Sequence, residues 1–191
     1  MNLRDLKGET ITAKKVLGID ASTKSFAWCL IDGSKVVATG DEVFEGASMY
    51  EKMKAAQKAA QRLADLGPDF CALEQAVFVN NRAVTIKLSY FYGILMGTMA
   101  LNDVPFDDVP PMTWMNFIGN PRFTKAEQME FKKANPKRTK NWYKEQFRKQ
   151  RKQRTMDWAK SEYGVDTTND NIADAVGVAA FARKVLTDGE G

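Results

Sequence analysis

Three acidic residues lie inside or at the end of strongly apolar segments of the sequence. Asp20 follows Val-Leu-Gly-Ile, Glu74 follows Cys-Ala-Leu, and Asp174 stands between two alanines. A carboxylate buried without a partner is costly, so each one requires a cation, hydrogen bonds or a shared proton. If the first two segments are neighbouring strands, Asp20 and Glu74 emerge at one sheet edge, and a helix packed over that edge brings Asp174 to the same place. Converging carboxylates with few cations nearby predict a site for Mg²⁺ or Mn²⁺.

Each carboxylate has a simpler interpretation when it is taken alone. An Asp at the end of a strand is also a common turn or capping residue, and Asp174 could accept a hydrogen bond from a backbone amide. The three together favour the metal site. The sequence contains no histidine, which excludes Ser-His-Asp triads, histidine-based zinc sites and a histidine general base. Hydrolytic chemistry in this chain therefore rests on carboxylates, lysines and a hard metal ion.

A basic segment is the second feature that could carry function. Residues 121–160 hold 14 Lys and Arg against 4 Asp and Glu, whereas the other 151 residues hold 14 against 20. This asymmetry predicts an arm that binds a polyanion, joined to a domain with a carboxylate site. The aromatic residues among the charges could stack on unpaired bases or pack the arm, and packing is the interpretation we favour. They are Phe123, Phe131, Trp142, Tyr143 and Phe147.

The elements that position these residues can be read from apolar periodicity and turn signals. Strand, turn and strand patterns between Lys15 and Thr39, with Asp32-Gly33 as a hairpin turn, predict an antiparallel meander. Further strands are predicted at 70–74 and 104–109, and helices at 48–66, 83–101, 139–163 and 171–186. This order predicts an α/β fold with a mixed five-stranded sheet, three strands antiparallel and then two parallel, flanked by helices.

The length of 191 residues is typical of one domain. We expect a flexible leader at 1–14, a single domain at 15–186 with the basic helical arm at about 121–155, and a frayed tail at 187–191. The N-terminus is charged and unlike a secretory signal, and the apolar stretch from Tyr90 to Leu101 contains two glycines and is too short to span a bilayer. We therefore expect a cytoplasmic protein without a membrane partner, whose Cys29 and Cys71 are reduced core residues.

Three motifs together resemble those of RuvC-type Holliday junction resolvases, members of the RNase H-like superfamily. They are Gly18-Ile-Asp20-Ala-Ser-Thr-Lys-Ser-Phe-Ala-Trp28, Leu73-Glu74-Gln75-Ala-Val-Phe78, and Asn171-Ile-Ala-Asp174-Ala175. The resemblance spans about Val16 to Ala182. It implies an RNase H-like fold and a Mg²⁺-dependent endonuclease. The small size is compatible with a phage-encoded member, which would act in the host cytoplasm.

The resemblance also implies roles for single residues. Asp20, Glu74 and Asp174 would hold two Mg²⁺ ions per site, with Mn²⁺ as a substitute. The family carries Asp or His where this chain has Asn171, so the fourth ligand is either the preceding Asp170, which we favour, or Asn171 itself. A catalytic lysine is expected on the helix before the third motif. Lys152 matches best, and Lys149 lies one turn earlier.

Contacts with DNA are expected from two places in the chain. An aromatic at Phe78 could wedge into a junction, although core packing of this ring is an equal alternative. The residues expected to bind DNA are Phe78, Asn80, Asn81, Arg82, Lys149, Arg151, Lys152 and Arg154.

The resemblance implies a structure-selective endodeoxyribonuclease that cuts Holliday junctions or other branched DNA by paired phosphodiester hydrolysis. A two-fold symmetric junction implies a homodimer, for which the helix with Gly93 and Gly97 is the candidate interface. The nearest alternative is a nuclease of this fold that cuts flaps or hybrids. A non-catalytic DNA-binding protein and an actin-like kinase fit less well, because the first gains nothing from crowded anions and the second needs a further ATP-binding domain. No nucleotide cofactor is therefore expected.

Overall fold

The computed structural model of the protein describes residues 14–76 and 81–187. Phe78 and Asn80 lie outside these ranges, as do nearly all of the expected leader and tail, so the division into leader, domain and tail stays a prediction. The strands are β1 (Lys15–Ala21), β2 (Ser25–Asp32), β3 (Lys35–Val43), β4 (Phe70–Glu74) and β5 (Phe106–Val109). The helices are α1 (Met49–Ala64), α2 (Arg82–Leu101), α3 (Pro111–Phe117), α4 (Lys125–Ala134), α5 (Lys140–Tyr163) and α6 (Asp170–Thr187).

The five strands form one mixed sheet in the order β3-β2-β1-β4-β5. β1 pairs antiparallel with β2, and β2 with β3, whereas the β1–β4 and β4–β5 pairs are parallel. The predicted fold class is therefore confirmed. β1 lies at the centre with helices over both faces, which explains why its sequence is almost continuously apolar.

Alternate residues of β1 face two different helical layers. Leu17 packs in a core with Leu63 of α1 and Phe91 of α2. Val16 packs on the other face, in a core with Val178 of α6. Gly18 and Asp20 lie two and four residues after Val16 and therefore on the same face of the strand. β1 thus presents Asp20 to the α6 layer. Cys29 and Cys71 are buried free thiols, as predicted.

Gly18 allows α6 to lie directly against β1. A Cβ at this position would stand 2.4 Å from the carbonyl oxygen of Ala175 and 2.5 Å from the amide nitrogen of Ala179. Such distances are far inside van der Waals contact, so only glycine fits without a shift of the helix. The close approach brings the second turn of α6, with Asp174, over the end of β1.

Capping residues define the ends of several helices. Ser48 caps α1 in a capping box with Glu51, which satisfies the first free amides of the helix. Thr124 and Glu127 form the same motif at α4. α5 ends at Gly164, whose φ of 69° is left-handed, as is usual for a glycine that terminates a helix.

The basic arm consists of α4 and the first half of α5. Phe131 contacts Trp142, Tyr143 and Phe147, with ring centroids 5.1 to 6.4 Å apart. The aromatic residues therefore pack the arm, as favoured from the sequence. The second half of α5 leaves the arm and packs on the α6 layer through Ala159, which is fully buried.

α2 is 20 residues long, and by length and composition alone it could cross a membrane. The sequence-based prediction considered only Tyr90–Leu101, whereas the helix begins eight residues earlier. Only 28% of its apolar window is buried inside the chain. Its buried side is nevertheless part of the core, because Phe91, Leu95 and Met99 are fully buried there.

Two strands have bounds that differ from the sequence-based prediction. β3 continues to Val43 rather than ending at Thr39, because it pairs along the whole length of β2 up to Ser25. β5 begins at Phe106 rather than at residue 104. The short helix α3 begins at Pro111, because a proline in the first turn has a φ already suited to a helix.

Candidate metal centre

Asp20, Glu74 and Asp174 converge at the end of the two central strands. One carboxylate oxygen from each lies within 4.8 Å of the other two. The parallel register places Ile19 of β1 beside Leu73 of β4, so the next residues, Asp20 and Glu74, leave the sheet side by side. We call these three residues the carboxylate cluster. The convergence predicted from the sequence is present in the structure.

Burial and mutual repulsion make the cluster hard to ionise. Desolvation is the largest cause of the raised pKa of Asp20. Desolvation, followed by the charges of Asp20 and Asp174, raises the pKa of Glu74 to about 9. Desolvation and the charge of Asp20 raise the pKa of Asp174 to about 7. Full ionisation of the cluster would therefore place more negative charge here than its surroundings offset, and an all-oxygen donor set of this kind fits a hard divalent cation.

Neighbouring groups hold the cluster in place. A side-chain hydrogen bond between Asp20 and Glu74 raises the pKa of Glu74 and lowers that of Asp20, so the two carboxyl groups share a proton. The Tyr92 hydroxyl of α2 donates to the backbone carbonyl of Glu74. The next residue, Gln75, donates its amide to the carbonyl of Val109, over 2.9 Å. The end of β4 is thus fixed from both sides.

Lys152 of α5 lies close to the cluster. Burial lowers its pKa, as does the charge of Arg148, while the charges of the three clustered carboxylates raise it. Lys149, the alternative, is largely exposed and pairs with Glu145 at 3.2 Å on its own helix. The structure therefore brings Lys152, and not Lys149, to the site.

Asp170 is the first residue of α6, one turn before Asp174. Its carboxylate forms an ion pair with Lys152. Among residues 14–76 and 81–187, the group of acidic side chains within 4.8 Å of one another contains Asp20, Glu74 and Asp174, and Asp170 is not part of it. The backbone amide of Asn171 donates to Oδ1 of Asn169 at 3.0 Å.

Asp41 and Asn169 also belong to this region, and the sequence analysis missed both. Ala27 of β2 is paired with Asp20 on one side and with Asp41 on the other, and the charge of Asp41 contributes to the raised pKa of Asp20. Asn169 donates to Asp41 over 2.9 Å and caps the start of α6. An edge strand is thereby tied to the helix that carries Asp174.

The residues expected to bind DNA fall into three groups. Asn81 caps α2 by accepting from the amides of Ala83 and Val84, and Arg82 next to it is exposed. On α5, Lys149 and Arg154 are exposed. Arg151 and Lys152 are half-buried and line a cavity that also contacts Asp174. Phe78 and Asn80 lie outside the described residues.

Comparison with solved structures identifies the fold. A structure of "T. thermophilus RuvC in complex with Holliday junction substrate" matches 91% of this chain and 95% of its own, with a TM-score of 0.66 and 11% identity. The chain has a RuvC-like fold. A second T. thermophilus RuvC structure matches equal shares of both chains, with a TM-score of 0.65 and 12% identity.

The RuvC-like fold confirms the resemblance drawn from the three motifs. No protein-family model and no curated protein matches the sequence. At 11% and 12% identity, the likeness concerns the fold, so the roles of single residues rest on the geometry of this chain. In this RuvC-like fold, all three motif carboxylates meet at one sheet edge.

Proposed function

We propose that the protein is a divalent-metal-dependent endonuclease that resolves Holliday junctions and other branched DNA. The observation that carries the proposal is the carboxylate cluster, buried at the sheet edge of a RuvC-like fold and too anionic to ionise fully by itself. One structure with this fold is a RuvC complex with a Holliday junction substrate.

The cluster would hold Mg²⁺, with Mn²⁺ as a substitute. Two such ions, when bound, supply activation of the attacking water and stabilisation of the leaving 3′ oxygen. Asp20, Glu74 and Asp174 would hold these ions in this proposal. Asp170 is proposed as the fourth ligand, because residues four apart on a helix share a face and Asp174 lies on that face.

Lys152 has a role of its own in the proposed reaction. Its ammonium lies beside the cluster and pairs with Asp170, so it is positioned to offset the negative charge that develops on the phosphate. Asp170 thus acts twice, as a proposed ligand and as the residue that orients the lysine.

DNA binding is assigned to the basic arm. Its exposed cations include Arg148, Lys149 and Arg154, and they lie on the same helix as Lys152. DNA bound along α5 would therefore be led to the cluster by phosphate contacts.

A homodimer is proposed through the exposed face of α2. Ile86 and Tyr90 are 53% and 46% exposed, and Gly93 and Gly97 follow on the same stripe with open space above them. A second copy fits this face better than a bilayer, because the opposite side of α2 is locked into the core by Phe91 and its neighbours. Two copies would supply the paired cuts that a two-fold symmetric junction requires.

The function is tested by cleavage of matched synthetic four-way, flap and duplex DNAs with Mg²⁺. We expect the wild-type protein to cut the four-way junction fastest, and EDTA to stop cleavage. Asp20→Asn is expected to lower the rate by orders of magnitude while leaving junction binding intact or tighter, because an anion near the phosphates is removed.

Faster cleavage of flaps than of junctions would support the alternative, a nuclease of this fold with another DNA structure as its substrate. Junction binding without any cleavage would support a non-catalytic DNA-binding protein and would overturn the proposal.

A further inference from the structure

A cavity of about 500 Å³ opens beside the carboxylate cluster, between α5 and the segment that joins α3 to α4. We call it the α3–α5 cavity. Its volume lies within the roughly 300–1,000 Å³ of small-ligand sites. Because Asp174 belongs both to its wall and to the cluster, an occupant would lie next to the proposed cleavage site. The side chains that line it include Asn120, Phe123, Phe147, Arg148, Arg151 and Asp174.

Asn120 supplies a buried acceptor to this cavity. It is 2% exposed, and its Nδ2 donates to the backbone carbonyl of Arg151 at 2.8 Å and to Oγ1 of Thr155 at 3.0 Å. The bond to a carbonyl fixes the amide orientation, because a carbonyl oxygen only accepts. Oδ1 then has no hydrogen-bond partner within the described part of the chain. A buried acceptor left in this state costs free energy unless a ligand satisfies it.

Arg151 supplies a donor on the same wall. Its Nε is also buried and has no hydrogen-bond partner among the described residues. The Asn120 side chain donates to the Arg151 backbone carbonyl, so the residues that carry the free acceptor and the free donor are neighbours in the cavity wall. A neighbouring acceptor and donor match the edge of a nucleobase, on which donors and acceptors alternate.

Aromatic rings form a further part of the wall. The rings of Phe123 and Phe147 lie 5.0 Å apart, and the guanidinium of Arg154 covers Phe123 at 4.5 Å. Nucleobases stack on such aromatic and guanidinium planes. Phe147 also packs on Phe131 within the arm, and the rings of Phe123 and Phe147 both belong to the cavity wall. A phosphate-binding site needs only cations and a metal site needs oxygen ligands, so the rings favour a base as the occupant.

We propose that the α3–α5 cavity receives one unpaired nucleobase of the cleaved strand, beside the scissile phosphodiester, with Asn120 and Arg151 at its edge. This proposal rests on the proposed function and names the part of the substrate that the site recognises. A paired base cannot enter, because its Watson–Crick edge is already occupied by its partner. A branch point, in contrast, offers bases whose unstacking costs least. The cavity therefore contributes to the choice of branched over duplex DNA.

An abasic scan of the junction tests the proposal with the wild-type protein. Single abasic sites are placed in turn at each position flanking the cleaved phosphodiester of a four-way junction, and the single-turnover rate with Mg²⁺ is measured. We expect one position at which removal of the base slows cleavage about tenfold or more, which is the scale of stacking and edge contacts.

Asn120→Ala links that position to the cavity. The variant is expected to cleave the intact junction about tenfold more slowly and to show no further decrease at the sensitive abasic position. Gln153→Ala is the matched control, because Gln153 is exposed on α5 and its side chain bonds to Asp157, away from the cavity. It should retain both the wild-type rate and the abasic sensitivity. Circular dichroism and thermal unfolding confirm that the variants fold.

The outcomes separate this proposal from the proposed function. Junction cleavage that is equally fast at every abasic position would overturn the nucleobase site and leave the nuclease intact. Equal decreases from Asn120→Ala on intact and abasic junctions would also overturn it, since the side chain would then act on folding or on the cluster. If the wild-type protein cuts no junction, both proposals fail together. Even if Asn120→Ala does not fold, an abasic scan without a sensitive position overturns the proposed nucleobase site.

Discussion

At the scale of single residues, burial of the carboxylate cluster lowers the stability of the fold, and the proposed metal ion would restore it. The folded-state pKa of Glu74, about 9, lies above the 4.5 of a free glutamate. Between these pH values the folded chain holds a proton that the unfolded chain has released. The free energy of unfolding contributed by this group therefore falls as pH rises across that window. A divalent cation replaces the proton and removes the cost.

Glu74→Gln should reveal this cost as a gain in stability. In EDTA we expect its Tm to exceed that of the wild-type protein at pH 8, and the difference to shrink toward pH 5. Each kcal/mol corresponds to about 2–4 °C for a chain of this length. Mg²⁺ should raise the Tm of the wild-type protein and leave that of the variant nearly unchanged.

Thermal unfolding between pH 5 and 9, with EDTA or Mg²⁺, measures both effects. Glu130→Gln, a change at an exposed residue of the arm, is the control and should follow the wild-type curve. Parallel pH dependences for Glu74→Gln and the wild-type protein would contradict the account of the cluster.

The role of Asp170, as a metal ligand or as the residue that orients Lys152, can be assigned by comparing variants. If Asp170 is a ligand, Asp170→Asn should slow cleavage by orders of magnitude and raise the Mg²⁺ concentration needed for half-maximal rate, and Asn171→Asp should do little. If Asp170 only holds Lys152, then Asp170→Asn should match Lys152→Ala, with a slower rate and an unchanged Mg²⁺ requirement.

Rates across a Mg²⁺ titration for the three variants decide between these cases, and we expect the first. A near-wild-type Asp170→Asn, together with tighter metal binding by Asn171→Asp, would instead make Asn171 the ligand.

At the scale of elements, the sequence predicted the strands and helices that carry the cluster because each has a strong local signal. Asp20 and Glu74 end short apolar strands, and α6 is apolar around most of its surface. Asp41 was missed because its strand lacks that signal. β3 is half-exposed and polar toward its end, and only its pairing with β2 extends it to this residue. Long-range pairing of this kind cannot be read from one segment.

Side-chain contacts in the basic arm were equally hard to predict from the sequence. Its charge and its aromatic residues are visible in the sequence. The sequence does not show which cations of α5 are exposed and which line the cavity beside the cluster. The placement of Asn120 against Arg151 and Thr155 joins residues 31 and 35 positions apart. No local pattern marks Asn120, which is why a buried acceptor beside the cluster emerged only from the fold.

The exposed cations of α5 should set the salt dependence of DNA binding. Lys149→Gln with Arg154→Gln is expected to weaken binding to junction and duplex alike, because both residues are exposed cations of α5. The slope of log Kd against log salt should fall by about one for each phosphate that is no longer neutralised.

Fluorescence anisotropy at several salt concentrations measures the slope. Lys58→Gln is the control, because Lys58 is exposed on α1, across the sheet from α5. A slope that stays the same in the α5 variant would show that this face does not touch DNA.

At the scale of the whole molecule, the apolar stripe of α2 is the surface that carries the proposal of a homodimer. The stripe runs from Ile86 through Tyr90, Gly93 and Gly97 to Leu101, which is 85% exposed. Contiguous apolar surface of this kind marks an interaction site in a folded domain, and glycines let a facing backbone approach closely. The carboxylate cluster is complete within one chain, so a second copy is not required for a single cut. A second copy would add the two-fold symmetry that paired cuts in a symmetric junction require.

Ile86→Asp should therefore separate a single cut from paired cutting. A charge in the centre of an isologous interface meets its own copy, so like charges oppose the dimer. The variant should sediment as one chain of 21.4 kDa, whereas we expect the wild-type protein to sediment at twice that mass. On a plasmid with an extruded cruciform, paired cuts give linear DNA and independent cuts give nicked circles first.

We expect the wild-type protein to give linear product directly and Ile86→Asp to accumulate nicked circles, with the Mg²⁺ requirement of each cut unchanged because the cluster is untouched. Lys87→Asp, one residue along the helix and exposed beside the stripe, is the matched control for a new charge. Linear product at the wild-type rate from a monomeric variant would show that paired cutting needs no dimer, and a wild-type protein that sediments as a single chain would assign the stripe to another partner.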